Sequence, residues 1–298
     1  MKDYVIMTDS CCDLPKEYIE KNNIPYVSLT CSFMGKEYVD DLGESLNYKD
    51  FYQGMNNGEI PKTSQPSPDD YSKIFKQILN ENKDVLYICV STGLSGTFNC
   101  ANIAKNMVLE EYPEGRIEIV DVLTASMGQG LLVMNAMEMK SQGKSIDDII
   151  KYLEENKFNL NTYITVDDLN HLKRGGRISS AAALFGMVLH IKPILTLNDE
   201  GKVLPVIKVK GRKSALNKLA KLVAEKIENS EEQIIAISHG DALDEAEKLK
   251  ELILKEVKVK DVVINHIGPV VGTFGGPGAL AVFFLGMHRQ NHVIEVNK

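Results

Sequence analysis

Residues 85–90 form a short, unbroken apolar run. The chain then turns through Ser91-Thr92-Gly93-Leu94-Ser95-Gly96-Thr97 into apolar positions at helical spacing: Phe98, Ala101, Ile103, Ala104 and Val108. A run bounded in this way reads as a strand, a tight loop of small and hydroxyl residues, and a helix. The loop leaves unpaired backbone N–H groups and several hydroxyls at a helix N-terminus, where the helix dipole favours an anion. Ser95 either caps its own helix or belongs to an anion site, and this stretch alone admits both.

The same rhythm runs through the first half of the chain. A strand over residues 4–8 ends in Asp9-Ser10-Cys11-Cys12-Asp13-Leu14-Pro15, where Asp13 is expected to cap a helix opened by Pro15. Residues 26–33 read as one strand, and residues 47–55 as a helix with Phe51, Tyr52 and Met55 on one side. Ser67 as N-cap, Pro68 at the first helical position and the acids Asp69 and Asp70 predict a strong helix start. Thr63, Ser64 and Gln65 are therefore expected in the loop just ahead, with the Thr63 and Ser64 hydroxyls not needed for the cap. A strand over 116–120, a helix over 131–140 and a capping box of Ser145 and Asp148 opening a helix over 146–156 continue the alternation. Such alternation predicts an α/β fold with a doubly wound, mostly parallel sheet, binding ligands outside the carboxyl ends of its strands.

Beyond residue 160 the pattern changes. Strands are expected at 162–166, 234–238, 262–265 and 279–285, with a hairpin of 194–197 and 203–210 around Asn198-Asp199-Glu200-Gly201. Amphipathic helices are expected at 213–227 and 244–255, and an apolar small-residue helix at 181–190. The expectation is two domains: α/β over 1–160, and α+β with a mixed or antiparallel sheet over 161–298.

A chain of 298 residues with 44% hydrophobic content can build both cores. Its net charge of −7 repels nucleic acid and anionic membranes as a whole, so any anion site must be local. No run approaches the ~18 apolar residues of a membrane span, and no targeting segment precedes the first strand, which predicts a cytoplasmic protein. The five cysteines form no Cys-x-x-Cys pair and the six histidines are scattered, so no intrinsic metal is expected. Ser95 lacks the glycine two positions downstream that a nucleophile elbow needs, since Thr97 stands there. Gly128-Gln129-Gly130 has no third glycine and no P-loop run exists, which argues against a nucleotide.

Two further stretches carry information. The basic turn His171-Leu172-Lys173-Arg174-Gly175-Gly176-Arg177-Ile178-Ser179 either holds a carboxylate or phosphate, or is an ion-paired surface turn. Gly272-Thr273-Phe274-Gly275-Gly276-Pro277-Gly278 requires either a group passing close to its backbone or positive φ.

Taken in order, Thr8-Asp9-Ser10 with Asp13-Leu14-Pro15, Thr63-Ser64-Gln65-Pro66-Ser67, Leu94-Ser95-Gly96-Thr97, Gly128-Gln129-Gly130, Leu172-Lys173-Arg174-Gly175-Gly176-Arg177-Ile178, Ile191-Lys192-Pro193-Ile194 and the glycine-rich turn resemble the DegV family over about residues 3–285. The resemblance implies a protein that holds one long-chain fatty acid, such as palmitate, in an apolar tunnel between two domains. It implies a carrier with no cofactor, which in some bacteria presents the acyl carboxylate to a separate fatty acid kinase subunit. Thr63 and Ser95 match the positions whose hydroxyls would hold the carboxylate; Ser64, Gly96, Thr97, Ser126 and Arg174 are candidate neighbours of the head group. Where many members read Gly-Thr-His followed by Thr-Gly-Pro-Gly, this chain has Phe274 and Gly275, so the family histidine near the head group is missing. That departure bears on kinase presentation more than on lipid binding. The rival expectation is a serine-dependent acyl- or phosphoryl-transfer enzyme using Ser95.

Overall fold

The computed structural model describes residues 2–179 and 191–289; the helix expected at 181–190 lies outside them. Its strands are β1 (Tyr4–Asp9), β2 (Tyr26–Val27), β3 (Thr30–Phe33), β4 (Lys36–Val39), β5 (Lys62–Ser64), β6 (Asp84–Cys89) and β7 (Ile117–Asp121). They are followed by β8 (Leu160–Thr165), β9 (Ile191–Leu197), β10 (Val203–Lys210), β11 (Ile234–His239), β12 (Asp261–His266) and β13 (Leu280–Leu285).

A parallel sheet in the order β2-β1-β6-β7 forms the first half. β6 is buried along its whole length, as a strand covered on both faces must be, which explains its unbroken apolar run. Met7, Val85 and Tyr87 face one side and pack with Tyr71 and Phe75 of helix Pro68–Asn80 and Ala101 and Ala104 of helix Thr97–Glu111. Ile6, Leu86 and Ile88 face the other, against Leu131 and Leu132 of helix Met127–Ser141 and Ile149 and Leu153 of helix Ile146–Asn156. The expected capping box of Ser145 with Asp148 closes, and the expected N-cap Ser67 forms a second one with Asp70.

The second sheet runs β10-β9-β8-β13-β11-β12 and is antiparallel except for the β11–β12 pair. Helices Arg212–Lys226 and Leu243–Glu256 cover one face through Leu216, Leu219, Leu249 and Ile253. On the other face Ala236, Ala281 and Phe283 join the core that holds Met127, Leu131 and Leu132. Helix Met127–Ser141 therefore serves both sheets.

Three local expectations are corrected. Residues 26–33 are two strands in different sheets: β2 joins the parallel sheet, whereas β3 pairs with β4 and β5 in a small antiparallel sheet. β3 returns as β4 through Met34 and Gly35, at φ of 50° and 73°, the positive values that a two-residue hairpin of matching twist requires. β5 contains Thr63 and Ser64, which the sequence places in a loop. Nor does Asp13 cap the Lys16–Lys21 helix, whose N-cap is Pro15. The backbone turns left-handed at Asp13 (φ 49°), aiming its buried carboxylate inward.

Candidate functional site

The turns after β1, β6 and β7 face the second sheet across a cavity of about 160 Å³. Cys11, Val90, Leu94 and Ala125 line one side; Ile164, Val166, Leu197, Ala281 and Phe283 line the other. Val270, Val271 and Phe274 of helix Pro269–Gly275 close a third wall. Polar side chains interrupt this apolar lining in two places. Thr63, Gln65, Ser95 and Arg177 retain access to solvent and mark the rim, whereas Ser126, Thr162 and Ser238 are buried and mark the floor.

Thr63 reaches the cavity because of strand geometry. It is the central residue of β5, paired with Cys31 of β3, and its neighbours Lys62 and Ser64 are exposed. Alternation along the strand turns Thr63 inward and Ser64 outward. Ser95 lies one residue ahead of the Gly96 N-cap of helix Thr97–Glu111. Its Oγ accepts the Thr97 N–H at 3.3 Å and sits 2.6 Å from Thr97 Oγ1, so it engages the helix start while lining the cavity. Thr97 itself is fully buried and is not part of the wall.

Gly96 makes room for the rim. A Cβ there would lie 2.3 Å from Gln65 Oε1, so the Gln65 side chain crosses this helix start where glycine leaves the space. The Gln65 amide donates to Cys100 Sγ at 2.9 Å.

The basic turn supplies a different arginine from the one singled out in the sequence. Arg174, at the end of helix Asn170–Arg174, is exposed and lies 3.0 Å from His171 Nδ1, away from the cavity. Arg177 points the other way: its Nε donates to the Leu94 carbonyl at 3.0 Å and its Cζ lies 4.3 Å above the Phe274 ring. Burial lowers its pKa, but a guanidinium stays cationic near neutrality. Arg177 has the same sequence signal as Arg174. Only the helix end at Arg174 and the turn through Gly175 and Gly176 separate the outward arginine from the inward one.

At the floor, Ser126 adopts φ 56° and ψ −151°, a conformation that costs a non-glycine residue about 1–3 kcal/mol. Three partners hold it there: its N–H donates to Cys11 O at 2.7 Å, its hydroxyl donates to Asp13, and Ser238 Oγ lies 2.9 Å away. Asp13 also accepts the Gly268 N–H at 2.9 Å, tying the third wall to the first half of the chain. Asp40 is buried beside the same glycine, and desolvation raises its pKa to about 7 and that of Asp13 well above the carboxylate range. His239 and His266 lie with ring centroids 4.4 Å apart, and burial pushes His239 down to about 4.

Among the described residues no cluster of three or more His, Cys, Asp or Glu could hold a metal ion, and no helix is long and apolar enough to cross a membrane.

Residues 3–286 match the model of the DegV family, described as uncharacterised proteins. A DegV domain-containing protein of Clostridium perfringens is 46% identical over 290 residues, covering 97% of this chain and 100% of that one. A Thermus thermophilus DegV family structure, reported for its fatty acid binding, superposes with a TM-score of 0.87 at 30% identity, covering 96% of this chain and 100% of that one. Bacillus subtilis DegV, described as a fatty acid binding protein, gives a TM-score of 0.83 at 33% identity, with coverage of 96% and 100%. From its sequence match along nearly all its length and its shared fold, the chain belongs to the DegV family.

Proposed function

We propose that this chain binds a long-chain fatty acid such as palmitate, with the tail in the cavity and the carboxylate at the rim between Thr63 and Ser95. One observation carries the reading: two hydroxyls far apart in sequence line the same largely apolar cavity. Fatty acid binding by the Thermus and Bacillus proteins supports it. The cavity volume of about 160 Å³ corresponds to roughly 11–16 water-sized spheres at ~10–15 Å³ each, the scale of an acyl chain rather than of a trapped solvent molecule.

Energetics favour a carrier whose tail supplies affinity and whose rim supplies orientation. Burying about fourteen methylenes at ~0.8 kcal/mol each gives about 11 kcal/mol gross, against an association cost of ~4 kcal/mol or more. Charge-assisted hydrogen bonds from Thr63 and Ser95 contribute ~1.5–3 kcal/mol each. Arg177 adds a cation at the same rim. With the rim open to solvent, the carboxylate is accessible to a separate kinase subunit, the role the family resemblance implies. The chain is read as a two-domain cytoplasmic carrier divided near residue 160. In the rival reading Ser95 is a nucleophile, but no histidine lines the cavity among the described residues.

Native mass spectrometry of freshly purified protein, followed by extraction of the ligand, tests the reading directly; a fatty acid is expected. Delipidated protein should take up palmitate, and the paired Thr63→Ala and Ser95→Ala variant should bind it at least tenfold more weakly. Unchanged binding by that variant removes the carboxylate assignment. A serine-reactive phosphonate adduct on Ser95 would instead favour the enzyme.

A further inference from the structure

Phe274, on the last turn of helix Pro269–Gly275, presents its ring face to the Arg177 guanidinium, with Cζ 4.3 Å from the ring centroid. Phenylalanine offers no hydrogen bond, so its chemistry is that of the face, where the ring quadrupole attracts a cation. The contact is built into the backbone on both sides. A Cβ on Gly175 would lie 2.2 Å from the Phe274 ring, so the basic turn closes over the aromatic only because glycine stands there. Two residues on, the Leu94 and Gly175 carbonyls each accept an Arg177 N–H, which fixes the plane of the guanidinium. Of its five N–H donors, three have no partner among the described residues, at a rim that also carries Ser95.

We infer that Phe274 is the positioning residue for the head-group cation: its ring face holds Arg177 at the rim and so sets the site's preference for an ionised carboxylate over a neutral head group of equal length. The inference rests on the fatty acid reading above. It assigns Phe274 two tasks, since the same ring is also part of the apolar wall. The packing it gives the tail is common to any lipid of the same length, whereas its hold on the cation is felt only by a charged head group.

The test is therefore a ratio. Dissociation constants for palmitate and hexadecanol are measured on delipidated full-length protein, and the preference for the acid is compared between variants. Phe274→Leu keeps an apolar wall without a π face and should lower the acid-over-alcohol ratio about three- to tenfold. Phe274→Tyr keeps the face and should retain the ratio. In an Arg177→Met background, Phe274→Leu should leave the ratio where Arg177→Met alone puts it. Thermal melts of all variants identify any that fail to fold, and the tyrosine variant keeps the test decisive if the leucine variant is among them: a ratio lost in folded Phe274→Tyr overturns the inference. Equal weakening of both lipids by Phe274→Leu also overturns it, because the ring is then wall alone. Wild-type protein that binds neither lipid removes the fatty acid reading itself, and the inference with it.

Discussion

Asp40 is 3% exposed, close to Asp13 and beside Gly268, the N-cap of the helix that walls the cavity. Its Oδ2 has no partner among the described residues. Desolvation is the main cause of its rise from 3.8 to about 7, outweighing the Ser10 and Val270 hydrogen bonds that pull it down. The sign follows from linkage: between these two values the folded protein binds a proton that the unfolded chain has released. The contribution of this group to stability is then greatest below about pH 4 and is lost as pH rises to about 7, ~4 kcal/mol at most. Asp40→Asn should therefore gain stability relative to wild type as pH is raised from 5 to 8 in urea unfolding, whereas a difference independent of pH would count against the buried, protonated acid. None of this is visible in the sequence. Thr63 and Ser95 each carry a local signal, a hydroxyl left over beside a capped helix and a hydroxyl in the loop after an apolar strand. Asp13 and Arg177 are engaged by Gly268, Ser126 and Leu94, partners that only the fold brings near. For that reason the local pattern favoured a cap for Asp13, and the family resemblance pointed to Arg174 rather than to Arg177.

At the scale of one element, helix Pro269–Gly275 is held by what its glycines lack. A Cβ on Gly272 would lie 2.4 Å from Tyr52 Oη and 3.1 Å from the Phe51 ring, and both aromatics are fully buried. Tyr52 cannot step aside without giving up its 2.8 Å hydrogen bond to the Ile267 carbonyl. Helix propensity alone favours alanine by about 1 kcal/mol. Overpacking at a site that cannot yield costs ~1–3 kcal/mol, so Gly272→Ala should be net destabilising in urea unfolding and should weaken lipid binding by moving Val271 and Phe274. A stabilised variant would show that the helix is free to shift. The close approach was legible from the density of glycines, and so were the Ser145 capping box and the Ser67 N-cap, because each rests on residues within one turn. The sheet of β3, β4 and β5 was not legible. Its strands have three or four residues, and its hairpin turns on Met34-Gly35 rather than a pair that announces positive φ. Strands this short are defined by their partners, and β5 is brought to β3 by the intervening helix Tyr48–Asn56 rather than by any pattern of its own.

Across the whole molecule, the cavity lies where the carboxyl ends of the parallel strands meet the second sheet, and the two halves share helix Met127–Ser141. A ligand lodged there touches both halves and should stabilise them together, by about 2.7 kcal/mol when free palmitate stands at a hundred times its dissociation constant. The dependence on chain length is the sharper consequence. Each methylene transferred into an apolar wall contributes ~0.8 kcal/mol, close to fourfold in affinity, so laurate, myristate and palmitate should differ about fifteenfold per two-carbon step. That gradient must end when the tail reaches the floor, where Ser126, Thr162 and Ser238 replace carbon with hydroxyl and Phe283 stands among them. A longer acid then has either to leave methylenes in water or to desolvate those hydroxyls, and neither adds affinity. Titrating delipidated protein with saturated acids of increasing length should give a steep rise followed by a plateau. A flat series would mean that the tail never enters the cavity, and a rise without a plateau would mean that the floor is open.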